Sequence, residues 1–269
     1  MISHSMSYET SDRQSGNSSP RKHAKRGKSR LDLLLVERGL AASRERAQAL
    51  LLAGQVRVNG VAATKAGTPV AADARIEVVG EPPRYASRGG LKLEGALEDF
   101  GVSASDKVCL DIGSSNGGFT DCLLQHGARK VYTVDVTIDQ LDWKLRQDSR
   151  VVTVERNARY LRKTDIGEPA ELITVDVSFI SVSKLLPAIV QLAAPDADFL
   201  ILIKPQFELE KRDIGKGGIV RDVALHQKAI QRVTSAALDA DLTISGVRPS
   251  RITGAGGNQE FFLHAIRRD

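Results

Sequence analysis

Cysteine is almost missing from this 269-residue chain: only Cys109 and Cys122 occur, in no CxxC pair. A disulfide scaffold is thereby excluded, and a structural zinc site lacks its usual thiolates. The five histidines (His4, His23, His126, His226, His264) are scattered without ligand spacing, so no metal is expected. Two lone thiols suit a reducing compartment, and the expected location is cytoplasmic. Aromatics are scarce as well, 4% with one Trp, which leaves no anchors for an interfacial membrane helix. No uninterrupted apolar run approaches the ~18 residues that a bilayer span needs, and no signal-peptide segment is expected. What remains, 42% hydrophobic and 26% charged, is a globular composition for one large domain or two unequal ones.

Positive charge is concentrated at one end. Residues 1–30 carry seven Lys/Arg against Glu9 and Asp12, whereas residues 90–269 carry 23 against 25. The first 29 residues hold almost nothing apolar and are expected to form a disordered basic tail, either an arm for a polyanion or a plain solvated segment. From Arg30 the pattern changes. Leu31, Leu34, Leu35 and Leu40 recur at helical spacing, Gly39 marks the helix end, and a second helix starts at Ser43 with Ala47, Leu50 and Leu51 along it. Val56 and Val58 then alternate before an Asn59-Gly60 turn, a strong hairpin signal. Arg44 and Arg46 fall at the start of the second helix, where they either bind phosphate or are ordinary surface charges.

Residues 81–90, with Pro82-Pro83 and Gly89-Gly90, suit a linker. Beyond it, strand and helix patterns alternate as in an α/β domain over residues 91–269. KVCLDI (107–112), KVYTVDV (130–136), RVVTVE (150–155), ELITVDV (171–177) and ADFLILIK (197–204) read as strands, the last apolar enough to be buried on both faces. A helix over about 222–238 precedes two closing strands.

The loop DIGSSNGGFTD, residues 111–121, lies between a strand and a helix, where a Gly-rich turn lets a ligand approach the backbone. It is neither GxGxxG nor a P-loop. It resembles the first motif of S-adenosylmethionine-dependent methyltransferases. A sulfonium cofactor brings positive charge, so its site wants carboxylates and carbonyls. The expected cofactor contacts are Asp111, Gly113, Ser114, Ser115, Gly117, Gly118, Phe119 and Asp176, with Asp135 on the ribose and Asn157 near the adenine. Four charged residues fall at the expected rim of the sheet: Lys92 in a short helix, Asp176 and Lys204 at strand ends, and Glu260 at the start of the last strand. A lysine partly desolvated beside a second cation loses its proton more easily, as a general base must.

The words carrying these residues, SRGGLKLEGAL, DIGSSNGGFTDCLLQHGA, VDVSFIS, IKPQFE, GKGGIVRD and TGAGGNQEFF, resemble the TlyA family of ribosomal RNA cytidine 2′-O-methyltransferases, also labelled hemolysin A. Residues 30–80 resemble the RNA-binding fold of the small ribosomal subunit's fourth protein through Ser43-Arg44, Ala47, Leu50, Gly54, Val56, Val58, Asn59 and Gly60. TIDQL (137–141) and the length of the basic tail depart from the family pattern. The resemblance implies an α/β, Rossmann-like class I methyltransferase sheet behind a small α+β RNA-binding domain. It also implies S-adenosyl-L-methionine as cofactor, ribosomal RNA or ribosomal subunits as partner, and Lys92, Asp176, Lys204 and Glu260 as the K-D-K-E tetrad of FtsJ-like enzymes. Lys204 then takes the proton of a cytidine 2′-hydroxyl. Arg30, Arg44, Arg46 and Arg57 become candidate RNA contacts; Phe207 either stacks on an extruded base or belongs to the core. The loop 210–222, with Lys211, Arg212, Lys216 and Arg221, reads as a lid or as a solvated loop. Two other functions compete: a binding protein that has lost catalysis, which predicts a broken tetrad, and a membrane-active hemolysin, for which the composition offers little.

Overall fold

The computed structural model describes residues 27–41, 43–80, 83–215, 217–254 and 256–268. The chain divides into two compact units, Met1–Gly80 and Glu81–Asp269. Nearly all of the expected basic tail lies outside the described residues. Its last two residues depart from expectation, because they belong to a strand.

In the first unit that strand, β1 (Lys28–Arg30), leads into α1 (Leu31–Glu37) and α2 (Arg44–Leu52), followed by β2 (Val56–Val58), β3 (Val61–Ala63), β4 (Pro69–Ala71) and β5 (Ile76–Val78). β1 pairs antiparallel with β4, and β2 lies between β3 and β5. The Ser43 hydroxyl caps α2 by accepting from the Arg46 N–H at 3.2 Å. Asn59 and Gly60 both take positive φ (51° and 82°), the geometry of a tight hairpin turn. Leu31, Leu34 and Leu35 of α1 meet Leu50 and Leu51 of α2 over Val56, Val70 and Ile76, a small but closed core.

The second unit begins with α3 (Gly89–Phe100) and runs through β6 (Val108–Ile112), α4 (Gly118–Gln125), β7 (Lys130–Asp135), α5 (Trp143–Gln147), β8 (Val151–Glu155), β9 (Ala170–Val175), α6 (Leu186–Val190), β10 (Ala193–Ile203), α7 (Pro205–Glu208), α8 (Val223–Asp239), β11 (Leu242–Pro249) and β12 (Phe261–Arg267). The expected linker at 81–90 is shorter here. Tyr85 is buried and α3 already starts at Gly89. Gly90 is there for close packing: a Cβ on it would lie 2.3 Å from Cγ of Tyr85.

Seven strands form one sheet in the order β11-β12-β10-β9-β6-β7-β8, parallel from β10 to β8 and closed by antiparallel β12 and β11. Apolar side chains alternate across it. Phe199, Ile201 and Ile203 of β10 face a core shared with α6 and α8, and Leu200 and Leu202 face one shared with α3 and α4. The chain goes outward from β6 through β7 to β8, then returns to place β9 and β10 on the other side. This reversal leaves a crevice beyond the carboxyl ends of β6 and β9, where open α/β sheets bind ligands.

Candidate active site

Gly113 follows β6 at the reversal point with φ +85°, and a Cβ there would lie 2.3 Å from the Asp176 carbonyl oxygen after β9. Only glycine satisfies both the backbone angle and the approach. The two strand ends thus meet at the floor of a cleft of about 260 Å³, lined by Gly113, Ser114, Ser115, Gly118 and Phe119 on one side and by Lys92, Asp176, Ser178 and Lys204 on the other. Ser114 is buried and its hydroxyl has no partner among the described residues. A buried, unpaired hydroxyl on a cleft wall is the kind of group a ligand satisfies.

The four tetrad candidates form two ion pairs. Lys92, from the first turn of α3, donates to Glu260 Oε2 at 2.6 Å, and both side chains are largely buried (11% and 3% exposed). Lys204, at the end of β10, lies 2.5 Å from Asp176 Oδ1 and donates to the Ser178 hydroxyl at 3.0 Å. Each lysine therefore has a carboxylate as its nearest partner, where the sequence suggested a neighbouring cation. Glu260 does not line the cleft; it reaches it through Lys92.

The cofactor candidates divide. Asp135 accepts from the Ser115 N–H at 2.8 Å and the Val136 N–H at 2.7 Å, so it braces the loop end. Gly117 opens α4 with φ +88°. One expectation needs correction. Asp111 has no exposed surface: its oxygens accept from Thr120 Oγ1 at 2.7 Å and Thr174 Oγ1 at 3.0 Å. It holds the loop and meets no ligand directly, and burial pushes its carboxyl up to about 7. Asn157 caps the turn that follows it, its side-chain oxygen accepting from the Arg159 N–H at 3.0 Å, and its side chain is exposed. The loop 210–222 is tied down at one end, where Asn258 accepts from the Val220 N–H and donates to the Gly218 carbonyl.

Phe207 is half-buried rather than core. Its ring lies 5.1 Å from that of Phe179, with Lys204 Nζ 6.0 Å from its centroid. Phe179 and Ser178 were not singled out from the sequence. Phe179 is 91% exposed at φ +66°, a costly conformation for a large side chain. The available signal was an aromatic inside a polar segment directly after a strand end. In the first unit, Arg30 and Arg44 meet on one carboxylate: Asp32, with no exposed surface, accepts from Arg30 at 2.9 Å and from Arg44 Nε at 2.8 Å. These arginines are about half exposed, so each pairs inward and faces outward. Arg46 is half-buried in α2, and Arg57 is exposed on β2.

Among the described residues, no helix is long and apolar enough to cross a membrane, and no three His, Cys, Asp or Glu side chains converge as a metal cluster.

The chain matches the FtsJ-like methyltransferase family over residues 85–267 and the S4 domain over residues 29–76. It is 50% identical over 240 residues to YqxC of Bacillus subtilis, which carries an rRNA methyltransferase name (88% of this chain, 85% of that one). It is 44% identical over 238 residues to the 16S/23S rRNA (cytidine-2'-O)-methyltransferase TlyA of Mycobacterium tuberculosis (88% and 89%). A solved structure from Streptococcus thermophilus with a hemolysin name superposes with a TM-score of 0.72 at 41% identity, covering 91% of this chain and 90% of that one. With an S4 domain ahead of the methyltransferase fold and such identity along most of its length, the chain belongs to the FtsJ-like methyltransferase family, in its TlyA group.

Proposed function

We propose that this protein transfers a methyl group from S-adenosylmethionine to the 2′-oxygen of a cytidine in ribosomal RNA, acting in the cytoplasm on ribosomal RNA or ribosomal subunits. The observation that carries the proposal is Lys204, held by Asp176 and Ser178 at the mouth of the cleft opposite the Gly113–Phe119 loop. The cleft suits that cofactor: the buried Ser114 hydroxyl is unpaired, and Asp176 presents a carboxylate. When bound, S-adenosylmethionine supplies an electrophilic methyl on a sulfonium.

Every other requirement falls on the chain. As the neutral amine, Lys204 has two N–H groups, which face the Asp176 carboxylate and the Ser178 hydroxyl, and one lone pair. That lone pair is left for the ribose hydroxyl, whose proton Lys204 takes as the oxygen becomes the nucleophile. Lys92, fixed by Glu260, lines the same cleft and orients the hydroxyl. Asp135 receives the ribose of the cofactor at the loop end. Phe179 and Phe207 offer stacking surfaces beside Lys204 for an unstacked base. The first unit, residues 30–80, contributes phosphate contacts through Arg30, Arg44, Arg46 and Arg57, and residues 91–269 contribute the chemistry.

The test is methyl transfer from labelled S-adenosylmethionine to separated ribosomal subunits by wild type and Lys204→Ala, with the modified nucleotide identified by mass spectrometry. Label on a cytidine ribose, lost in the variant, is the expected result. No label on either subunit, with cofactor binding intact, overturns the proposal in favour of a binding protein without catalysis.

A further inference from the structure

Glu208, the last residue of α7, is 2% exposed, and no cation lies within hydrogen-bond distance of its carboxylate among the described residues. Burial raises its pKa. A buried carboxylate without an ion-pair partner is costly, so its remaining contacts must be worth keeping. They all reach one segment: Oε2 accepts from the Ser181 hydroxyl at 2.5 Å and Oε1 from the Val182 N–H at 2.8 Å, while Ser181 also meets the Ser183 hydroxyl at 2.7 Å. On its other side, the Glu208 carbonyl accepts from Arg232 of α8 at 2.8 Å.

Two short segments run beside each other here, and their contacts follow in order. Lys204 meets Asp176 and Ser178, Phe207 meets Phe179, and Glu208 meets Ser181 and Val182. Of these, only the last is fully buried. α7 is a single turn of four residues, too short to hold its own geometry, and Phe179 sits at positive φ, a conformation that persists only when its surroundings impose it. We propose that Glu208 is a positioning residue for the reaction: its buried carboxylate clasps the segment after β9 to α7, and so sets Lys204 against Asp176 and Phe179 against Phe207. The proposal rests on methyl transfer at Lys204.

The test compares Glu208→Ala, Glu208→Gln and Ser181→Ala in the full chain, measuring kcat on ribosomal subunits, affinity for S-adenosylmethionine, and amide exchange over residues 177–183. Gln keeps the clasp, because its oxygen still accepts from Val182 and the Ser181 hydroxyl can turn to accept from the amide. It is expected to stay within about threefold of wild-type kcat. Ala is expected to lower kcat by about tenfold or more and speed exchange over 177–183 similarly, with cofactor affinity within about twofold. Ser181→Ala falls between them and carries the test if Glu208→Ala does not fold. Three results overturn the proposal: an Ala variant with wild-type kcat, a Gln variant as impaired as Ala, or cofactor affinity lost in step with kcat. If wild type methylates no RNA, the proposed function has failed separately, and the exchange data still decide whether the clasp exists.

Discussion

Replacing Asp32 with Asn removes the charge on which α1, α2 and β1 converge. Arg30 grips both carboxylate oxygens at 2.9 Å, Arg44 adds a bond at 2.8 Å, Gln48 one at 3.3 Å, and the Leu33 N–H one at 3.1 Å. Asn keeps the shape but turns an NH₂ group toward a guanidinium and leaves only one oxygen for two arginines. Breaking a buried pair from one side costs about 3–5 kcal/mol. Both arginines are half exposed and regain water, which lowers the expectation to about 2–4 kcal/mol. For so small a core that is a large share of the unit's stability. The only tryptophan, Trp143, belongs to the other unit, so its fluorescence is blind to this change. Hydrogen exchange of the α1 and α2 amides is the assay that sees it. Arg30 above all, then Arg44 and Gln48, hold the Asp32 carboxyl well below the usual carboxylate range against the opposing effect of burial. A depressed folded pKa means stabilisation that is complete above about pH 4 and lost as pH falls toward the folded value. The gap between wild type and variant must therefore shrink in acid. A shift below about 1 kcal/mol at pH 7, or a gap that persists unchanged below about pH 4, refutes the reasoning.

Gly90→Ala puts a methyl into the Tyr85 ring, and this overpacking is expected to cost about 1–3 kcal/mol, read as a lowered Tm; an unchanged Tm means that Tyr85 moves freely. Asp111, with its carboxyl pushed up to about 7, makes stability fall as pH rises from about 4 to 7, because the unfolded chain releases a proton that the folded one keeps. The loss is at most about 4 kcal/mol, and Asp111→Asn should flatten that slope in denaturant titrations at several pH values; an identical slope would exclude Asp111 as its source. Burial pushes the Cys109 and Cys122 thiols up to about 12, so neither should react with a thiol reagent until the second unit unfolds; fast labelling of native protein would contradict this.

Much of the molecule was legible because local chemistry and fold agree. Ser43, Asn59-Gly60 and the Gly-rich turn after β6 each specify a local geometry that the neighbouring residues use, and β10 announces itself by being apolar on both faces. Three of the tetrad positions were legible as strand ends and Lys92 as part of a short helix. Their pairing was not, since Lys92 and Glu260 are 168 residues apart and only the closing strand β12 brings them together. Asp111 and Asn157 show the opposite limit: a motif marks a polar residue without telling whether its hydrogen bonds point at a ligand or at the loop itself. Tyr85 was read as linker because Pro and Gly surround it, yet one of those glycines, Gly90, lets its ring pack. Phe179 had no periodic partner to reveal it, because it packs against a single ring on another segment.

The two lysine pairs differ in a way that decides which variant tests catalysis cleanly. Removing Lys92 leaves Glu260 only 3% exposed, beside a glycine, Gly254, whose added Cβ would lie 2.3 Å from Glu260 Oε1, so little water can replace the lost ammonium. An uncompensated buried charge of this kind costs about 3–5 kcal/mol, and β12 depends on the same contact. Lys92→Ala is therefore expected to lower Tm and activity together. Asp176 is 19% exposed and opens onto the cleft, so in Lys204→Ala water reaches the freed carboxylate and the expected stability loss is about 1 kcal/mol. Lys92→Met, which removes the charge but fills the space, should be no better than Ala if the unpaired carboxylate is the cause. Equal melting temperatures for the Lys92→Ala and Lys204→Ala proteins would show that Glu260 finds water or a proton after all, and that the two pairs are energetically alike.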